Sequence, residues 1–209
     1  MPTRGRPPLL SDETILDAAL MAFAASGYAS MSVRGLNAEL GLSHETISKR
    51  FGPKRDLFRA AVARGVALLI CDFDEEVARC APVGDLERLR ATVRGFMVAS
   101  SRHPAVGDLL HHASIDADQR AVMLSASGFA ERIADTVALL GRLQQTGVIR
   151  ETRIREMWFL AESAVAPLRF PGLAQMFDPF DGPLNPDELI DRMVEALMCS
   201  LLVPGSSEP

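Results

Sequence analysis

Residues 32–51 read SVRGLNAELGLSHETISKRF and contain the signals for two short helices joined by a tight turn. Ser32 is a good N-cap, and apolar residues follow it at helical spacing, namely Val33, Leu36 and Leu40. Gly41 stands where a left-handed residue would end the first helix, and Ser43 is predicted to cap a second helix two residues later. The pattern therefore predicts a helix, a glycine-bearing turn and a second helix.

The second predicted helix has an apolar side and a polar side. Ile47 and Phe51 lie four residues apart, so both side chains can point back at the first helix. This arrangement is typical of a helix-turn-helix, whose second helix leaves its outer face free to enter a DNA major groove. The residues predicted on that outer face are His44, Glu45, Ser48 and Lys49, with Thr46 beside them.

Composition indicates an all-α protein. The chain has 209 residues, of which 48% are hydrophobic and 23% are charged, and alternating β-branched patterns are nearly absent. We expect no signal peptide, and the longest apolar run, residues 66–71, is far shorter than the roughly 20 residues that span a bilayer. A cytoplasmic location without membrane association is the expectation. Three cysteines without metal-like spacing suggest ordinary buried thiols.

The charge changes sign along the chain. The net charge is −5, yet residues 1–60 hold eight Lys and Arg against six Asp and Glu. A modestly basic segment followed by an acidic remainder fits a DNA-binding head joined to an acidic body.

A series of short motifs recurs in register along about residues 9–60: Ile15-Leu-Asp-Ala-Ala, Phe23-Ala, Gly27-Tyr28, Ser32-Val33-Arg34, Gly41-Leu42-Ser43, Thr46-Ile47 and Phe51-Gly-Pro-Lys54. With these motifs the segment resembles the N-terminal domain of the tetracycline-repressor (TetR) family. Three residues differ from the common family pattern: Asn37 and Leu40 stand where Ala is usual, and Ser48 replaces a phosphate-contacting Tyr.

Further DNA contacts are predicted around the helix-turn-helix. A basic arm before the first helix can reach phosphates or a minor groove, although such an arm can also be a solvated tail. Lys54 begins the next helix, where a cation opposes the helix dipole unless a phosphate is bound there. Glu45 near a helix N-terminus also suits the dipole without reading a base. The predicted DNA-binding residues are Arg4, Arg6, Ser32, Arg34, Ser43, His44, Glu45, Thr46, Ser48, Lys49 and Lys54.

The predicted architecture is a three-helix head followed by a larger helical body, with about nine helices in total. Ser11 should cap the first helix and Gly27 should close it. The body should hold a long helix over residues 53–81, one capped by Asp85, one at 106–113, one reaching Leu143, one at 155–168 and a last one from Pro186. Residues 167–187 are read as a non-helical apolar segment. The domains are residues 1–53, residues 54–203 and a loose tail at 204–209.

No motif for catalysis, a cofactor or a metal is present. His111 and His112 are adjacent, so they project about 100° apart on a helix and are poorly placed to ligate one metal. Phosphate loops, Ser/His/Asp orders and Cys-x-x-Cys pairs are absent. A redox role for Cys71 or Cys80 is a minor alternative.

The resemblance implies a ligand cavity in the body and pairing of two chains through the last two helices. The predicted ligand-binding residues are Phe73, Phe96, Met97, His103, His112, Met123, Ser127, Phe129 and Trp158. The last helix has a wide apolar face, which also favours a homodimer. The predicted interface residues are Met157, Leu160, Ala164, Phe170, Met176, Phe177, Leu189, Met193, Leu197 and Leu201.

The predicted function is a homodimeric transcriptional repressor that binds a palindromic operator in double-stranded DNA and is released by a small-molecule effector. One alternative is an activator or a regulator without a ligand. A more remote alternative is a helical carrier or enzyme that does not bind DNA.

Overall fold

The structure is a computed structural model that describes residues 10–126 and 128–204, and it is all-α as the sequence predicts. These residues form thirteen α-helices and one 3-10 helix, and their only β-structure is an isolated bridge between Ile149 and Leu202. The predicted number of helices is too low because short helical segments occupy residues 166–181 and one predicted long helix is divided. None of the helices in the described ranges combines the length and the hydropathy that crossing a bilayer requires.

Two compact units divide the chain. Among the described residues, the first consists of those up to Gly65 together with Ala105–Met123, and the second consists of Val66–Pro104 together with those from Leu124 onward. This division differs from the predicted boundary at residue 53, because the first unit includes the start of the long helix and a later segment of the chain.

The first unit contains the predicted head. Its helices are α1 (Asp12–Ser30), α2 (Val33–Glu39), α3 (Thr46–Phe51) and the start of α4 (Lys54–Cys80), with all but the first residue of α6 (Pro104–His111) and all but the last residue of α7 (Ala117–Leu124) from the later segment. Ser11 and Ser32 are N-caps, as predicted, and accept hydrogen bonds from Thr14 N–H and Gly35 N–H. The buried Phe23 packs edge to face against Phe58.

Gly27 ends the regular part of α1, as predicted. It has φ 74° and ψ 166°, a backbone conformation outside the helical region. A Cβ at this position would lie 2.5 Å from His112 Cε1 and would also collide with Ser114 Oγ. Both the positive φ and the close approach of His112 therefore require glycine here.

The second unit is built on α5 (Asp85–Arg102), α8 (Phe129–Gln145), α9 (Ile154–Ala164) and α13 (Pro186–Leu201), with the remainder of α4. Short segments connect α9 to α13: α10 (Ala166–Arg169), α11 (Pro171–Ala174), a 3-10 turn (Gln175–Phe177) and α12 (Asp178–Asp181). The inward sides of α5, α8, α9 and α13 form one apolar core, which includes Leu89, Met97, Leu140, Met157, Ala161, Val194 and Met198.

Three sequence predictions about the body need correction. The helix predicted to reach Leu143 is two helices in the structure, because one helix ends at Leu124 and the next begins at Phe129. Asp85 is the first residue of α5 rather than its cap; Gly84 is the N-cap, and the Asp85 carboxylate instead accepts two hydrogen bonds from Arg142 at 2.7 and 3.0 Å. Residues 167–187 are not devoid of helix, since proline begins α11 and lies in the first turns of α10 and α12.

Ion pairs join the helices of the second unit. The buried Glu76 on α4 accepts hydrogen bonds from Arg94 Nε on α5 at 2.6 Å and from Arg79 Nε at 3.0 Å. Arg94 also pairs with Asp191 on α13. These hydrogen bonds, led by those from Arg79 and then Arg94, lower the pKa of Glu76. A charged Glu76 therefore links α4 to α5, and Arg94 extends the link to α13.

Candidate nucleic-acid interface and ligand cavity

The turn between α2 and α3 is built around the side chain of Asn37. This side chain is fully buried, and its Nδ2 donates to Val33 O at 3.0 Å and to His44 O at 3.1 Å. Its Oδ1 accepts from Ile47 N–H at 3.2 Å. One neutral side chain thus provides hydrogen-bond partners for backbone groups of α2, of the loop before α3 and of the N-terminus of α3. These hydrogen bonds explain how the chain accommodates Asn where the family usually has Ala.

Ser43 does not cap α3, contrary to the prediction. The N-cap position belongs to Glu45, whose side chain makes no capping hydrogen bond. Ser43 O accepts from Thr46 N–H at 3.0 Å, and the Ser43 and Thr46 hydroxyls hydrogen-bond to each other at 2.7 Å. The capping acceptor comes instead from Asn37 Oδ1, which takes the Ile47 N–H. Gly41 has φ 66°, so the left-handed turn residue is confirmed.

The outer face of α3 is open to solvent. His44, Glu45, Ser48 and Lys49 are all exposed, whereas Ile47 on the opposite side is fully buried. Lys49 Nζ lies 2.7 Å from Glu45 Oε2, and both side chains are more than 70% exposed, at 75% and 72%. Such an exposed pair is weak, so Lys49 can exchange Glu45 for a phosphate at little cost.

Other predicted DNA-binding residues lie around this face. Ser32 and Arg34 at the start of α2 are exposed, and Thr46 is half-buried. Arg50 was not predicted to be important, and it holds α3 to the start of the described chain by donating to Leu10 O at 2.7 Å and pairing with Asp12 at 2.6 Å. Arg4 and Arg6 lie outside the described residues.

Lys54 has a partner inside the chain. Its Nζ donates to Ala29 O at 3.1 Å and sits 5.0 Å from the centre of the Tyr28 ring. The Lys54 charge thus meets a carbonyl at the C-terminal end of α1, where a cation is favourable. Lys54 therefore needs no bound phosphate to compensate its charge, and contact of Lys54 with DNA stays a prediction.

An apolar cavity of about 60 Å³ lies within the second unit, between α4, α5, α8 and α9. The Trp158 ring contacts Phe96 and Phe129, with ring centres 4.6 and 5.7 Å apart. The lining comprises Leu69, Ile70, Phe73, Thr92, Val93, Phe96, Phe129, Arg132, Ile133, Thr136, Ile154, Met157, Trp158 and Ala161.

Four of the predicted ligand-binding residues line this cavity: Phe73, Phe96, Phe129 and Trp158. The others that the structure describes do not. Met97 belongs to the core, and His103 Nε2 is 3.1 Å from Asp72 Oδ2. His112 and Met123 are part of the first unit. Ser127 lies outside the described residues.

Sequence reasoning missed Arg132, the one charged residue in the cavity lining as the structure describes it. Its Nε and Nη2 donate to the two carboxylate oxygens of Asp74 at 2.8 and 2.6 Å, which raises the pKa of the guanidinium. Arg132 also lines a polar groove on the outside of α4, α5 and α8, where Asp74 lies. The spacing of Phe129, Ile133 and Thr136 on α8 was the available signal, because it places Arg132 beside an inward face.

The predicted dimer interface divides into buried and exposed residues. Four of the predicted residues are buried in the core of their own chain and cannot contact a partner chain, namely Met157, Leu189, Leu197 and Leu201. Ala164 and Met193 are partly buried against that core. Leu160 on α9 is exposed, as are Phe170, Met176 and Phe177 in the short helices. Three further apolar residues there are also exposed, namely Phe159, Leu173 and Phe180.

The cysteines were expected to be buried thiols, and the structure contradicts this expectation. Cys71, Cys80 and Cys199 are all exposed and unbridged. A hydrogen bond from Cys71 Sγ to Glu75 Oε1 raises the pKa of this thiol, which disfavours its reactive thiolate. In the part of the chain that the structure describes, no three His, Cys, Asp or Glu side chains are grouped as metal ligands.

An open polar face on a short helix, fixed across a glycine turn by a buried anchor, defines a helix-turn-helix DNA-binding protein. Residues 15–61 match the family model described as bacterial regulatory proteins, tetR family. The predicted resemblance to the TetR family is therefore confirmed for this N-terminal domain, and the whole chain shares its fold with solved TetR family regulators. No curated protein matches the chain.

Similar solved structures share the fold over almost the whole chain. The TetR family regulator PfmR from Thermus thermophilus is 17% identical, with a TM-score of 0.61 over 96% of this chain and 100% of that one. SCO3833 from Streptomyces coelicolor is 24% identical, with a TM-score of 0.61 and 95% and 96% coverage. AibR, solved with isovaleryl coenzyme A and operator DNA, is 23% identical, with a TM-score of 0.59 and 88% and 96% coverage.

Proposed function

We propose that the protein is a cytoplasmic, homodimeric transcriptional repressor that binds a palindromic operator and releases it when a small molecule occupies the cavity. The observation that carries the proposal is the outer face of α3, where exposed polar residues stand on a helix fixed by the buried Asn37 and Ile47. A helix presented in this way is what entry into a major groove requires. AibR, which has the same fold, was solved with operator DNA.

A dimer would give two such heads the spacing that a palindrome needs, about 34–36 Å between half-sites. Support comes from the exposed apolar residues between α9 and α13, among them Phe170 and Phe177 at 57% and 55% exposure. Contiguous exposed apolar residues of this kind are typical of protein interfaces. Analytical ultracentrifugation of the purified protein and of a Leu160→Glu/Phe177→Glu variant tests this part, since only the variant should sediment as a monomer.

Ligand release would work through α4. This helix runs without interruption from Lys54 to Cys80, and Leu69, Ile70 and Phe73 on it line the cavity. A molecule that fits the cavity better in one orientation of α4 shifts the population of conformers toward that orientation. A ligand with equal affinity for both conformers would release nothing.

DNA binding is tested by fluorescence anisotropy with a duplex from the promoter beside the gene and a scrambled duplex of equal length. Binding through phosphates must weaken as salt rises, and the promoter duplex should bind more tightly. Lys49→Ala should weaken binding, whereas Arg88→Ala, which removes an exposed cation from α5, should not. Absence of binding to either duplex at low salt would favour the carrier or enzyme alternative.

The sign of regulation is tested with a reporter fused to the same promoter. Deletion of the gene should raise reporter expression if the protein is a repressor. A fall would favour the activator alternative, and unchanged promoter affinity across an effector screen would favour a regulator without a ligand.

A further inference from the structure

Arg132 lies where the apolar cavity adjoins the polar groove lined by α4, α5 and α8. Phe73, Thr92, Arg132 and Thr136 line both the cavity and the polar groove outside it. Among the described residues of the cavity lining, Arg132 alone is charged. Asp74 lines only the groove, so the ion pair between Arg132 and Asp74 lies at the boundary between an apolar space and a polar one.

The Arg132 side chain favours a ligand that carries a hydrogen-bond acceptor. A guanidinium has five N–H donors, and Asp74 accepts from Nε and from Nη2. The two threonine hydroxyls of the lining already donate to backbone carbonyls, Thr92 to Arg88 O and Thr136 to Arg132 O. The strongest polar interaction that this cavity offers a ligand is therefore a charge-assisted hydrogen bond from the Arg132 side chain.

The size of the cavity limits the rest of the ligand. A cavity of about 60 Å³ is only several times the ~10–15 Å³ that one water molecule needs. The apolar walls of Phe96, Phe129 and Trp158 therefore suit a tail of about four or five carbons.

Another carboxylate can replace Asp74 in its ion pair with Arg132. Asp74 is 45% exposed and Arg132 is 37% exposed, so the pair is partly hydrated and is worth little in itself. Asp74 would return to water in the groove if another carboxylate took its place. A ligand carboxylate would keep the guanidinium neutralised and would bury its own tail.

We propose that the cavity binds a short-chain aliphatic carboxylate whose head group displaces Asp74 from Arg132. This inference deepens the proposed function and rests on it, because it names the effector class and the contact that the effector changes. The displaced pair joins α4 to α8, so occupancy releases one tie on the helix that begins at Lys54. The ligand then binds the released conformer better than the tied one, which is the difference in affinity that ligand-driven release needs.

Trp158 provides a direct measurement of binding, because it is the single tryptophan of the chain and lines the cavity. Its emission should change saturably on titration with pentanoate, and pentanamide should bind about tenfold more weakly because it lacks the charge. Decanoate should bind more weakly than pentanoate, since its tail exceeds the cavity. Equal affinity for pentanoate and pentanamide, or no response to either, would overturn the proposal.

Two variants test the exchange with Asp74. Arg132→Gln should abolish the preference for pentanoate over pentanamide, whereas Asp74→Asn should raise the affinity for pentanoate because the competing carboxylate is gone. The matched controls are Arg142→Gln and Asp85→Asn, which remove a second arginine fork in the same groove, between α5 and α8, at residues that do not line the cavity. Neither control should change the preference. An unchanged pentanoate affinity in Asp74→Asn would contradict the exchange.

Promoter binding without any carboxylate is measured on the same proteins by anisotropy. This measurement tests the proposed function alone, because it does not involve the cavity. Intact promoter binding together with no discrimination between pentanoate and pentanamide would overturn this inference and leave the regulator. If the unmodified protein does not bind the promoter duplex, the proposed regulatory function is wrong. The proposed class of ligand would then be judged by the Trp158 titration alone.

Discussion

Helices α3 and α8 both bury apolar side chains, but their polar ties to neighbouring segments differ in chemistry. The inner side of α3 is fixed by the buried Ile47 and by the neutral Asn37 side chain, which bonds three backbone groups. On its polar side, α8 is joined to α4 by the ion pair of Arg132 with Asp74 and to α5 by the ion pair of Arg142 with Asp85. All four side chains are at least about a third exposed.

This difference separates a permanent attachment from exchangeable ones. Hydrogen bonds of a buried amide are insensitive to salt, and removing the amide leaves a buried donor without an acceptor. Exposed ion pairs are screened by salt and contribute roughly 0–1 kcal/mol each. The structure thus fixes α3 through buried groups while leaving the polar ties of α8 open to competition.

Replacing Asn37 should have the largest effect. Asn37→Ala leaves the Ile47 N–H without its acceptor, so we expect the free energy of unfolding to fall by about 2–3 kcal/mol and promoter binding to be lost. Urea unfolding followed by circular dichroism measures the change, and Glu39→Ala on the exposed side of α2 is the control. A loss no greater than that of the control would show that Asn37 is not the anchor of α3.

The buried Glu76 should come next, and its effect should depend on pH. Hydrogen bonds from Arg79 and Arg94 lower its pKa in the folded state, so its contribution is fully present above the ordinary value of 4.5 and is lost as the pH falls through the lower folded value. Glu76→Gln should therefore cost about 1–3 kcal/mol at pH 7. Urea unfolding of both proteins at pH 7 and pH 3 should show the difference shrinking in acid. A difference that does not vary with pH would contradict this prediction.

The Arg142 fork should contribute less. Arg142 lowers the pKa of Asp85 through their side-chain hydrogen bonds, yet both groups are well exposed. Arg142→Gln should lower the free energy of unfolding by about 0.2–1 kcal/mol at low salt, and the difference should vanish near 1 M salt. Equilibrium unfolding at both salt concentrations measures this. A loss as large as that of Asn37→Ala would remove the distinction between the two kinds of attachment.

Glu45 should have the smallest effect, and in the opposite direction. Glu45→Gln frees Lys49 and removes a negative charge from the outer face of α3. We expect promoter affinity to rise about two- to fivefold at fixed salt, as measured by anisotropy. A marked fall in affinity would instead indicate that Glu45 accepts a hydrogen bond from a cytosine amino group.

The head was largely predictable because its signals are local. Ser32 and Gly41 act on residues within a few positions of themselves, and periodicity identified the buried Ile47. The role of Asn37 was not predictable, since its partners His44 and Ile47 lie seven and ten residues away. The cap at Ser43 was misassigned because Asn37 supplies the acceptor from another helix.

The body was less predictable, because periodicity identifies an inward face without identifying what that face meets. His112 and Met123 were predicted to line the cavity but belong to the first unit. Met157 was predicted at the dimer interface but lies in the core and on the cavity wall. Arg132 was overlooked because a charged residue on an amphipathic helix is usually solvated.

Selection of binding sequences from a pool of random DNA duplexes tests the central claim most directly, because it assumes no operator. The unmodified protein should enrich an inverted repeat whose half-sites are about one helical turn, or a multiple of it, apart. A variant with His44, Ser48 and Lys49 all changed to Ala should enrich none while keeping its helical content. Enrichment of the same repeat by that variant, or no enrichment by the unmodified protein, would contradict a DNA-reading role for the outer face of α3.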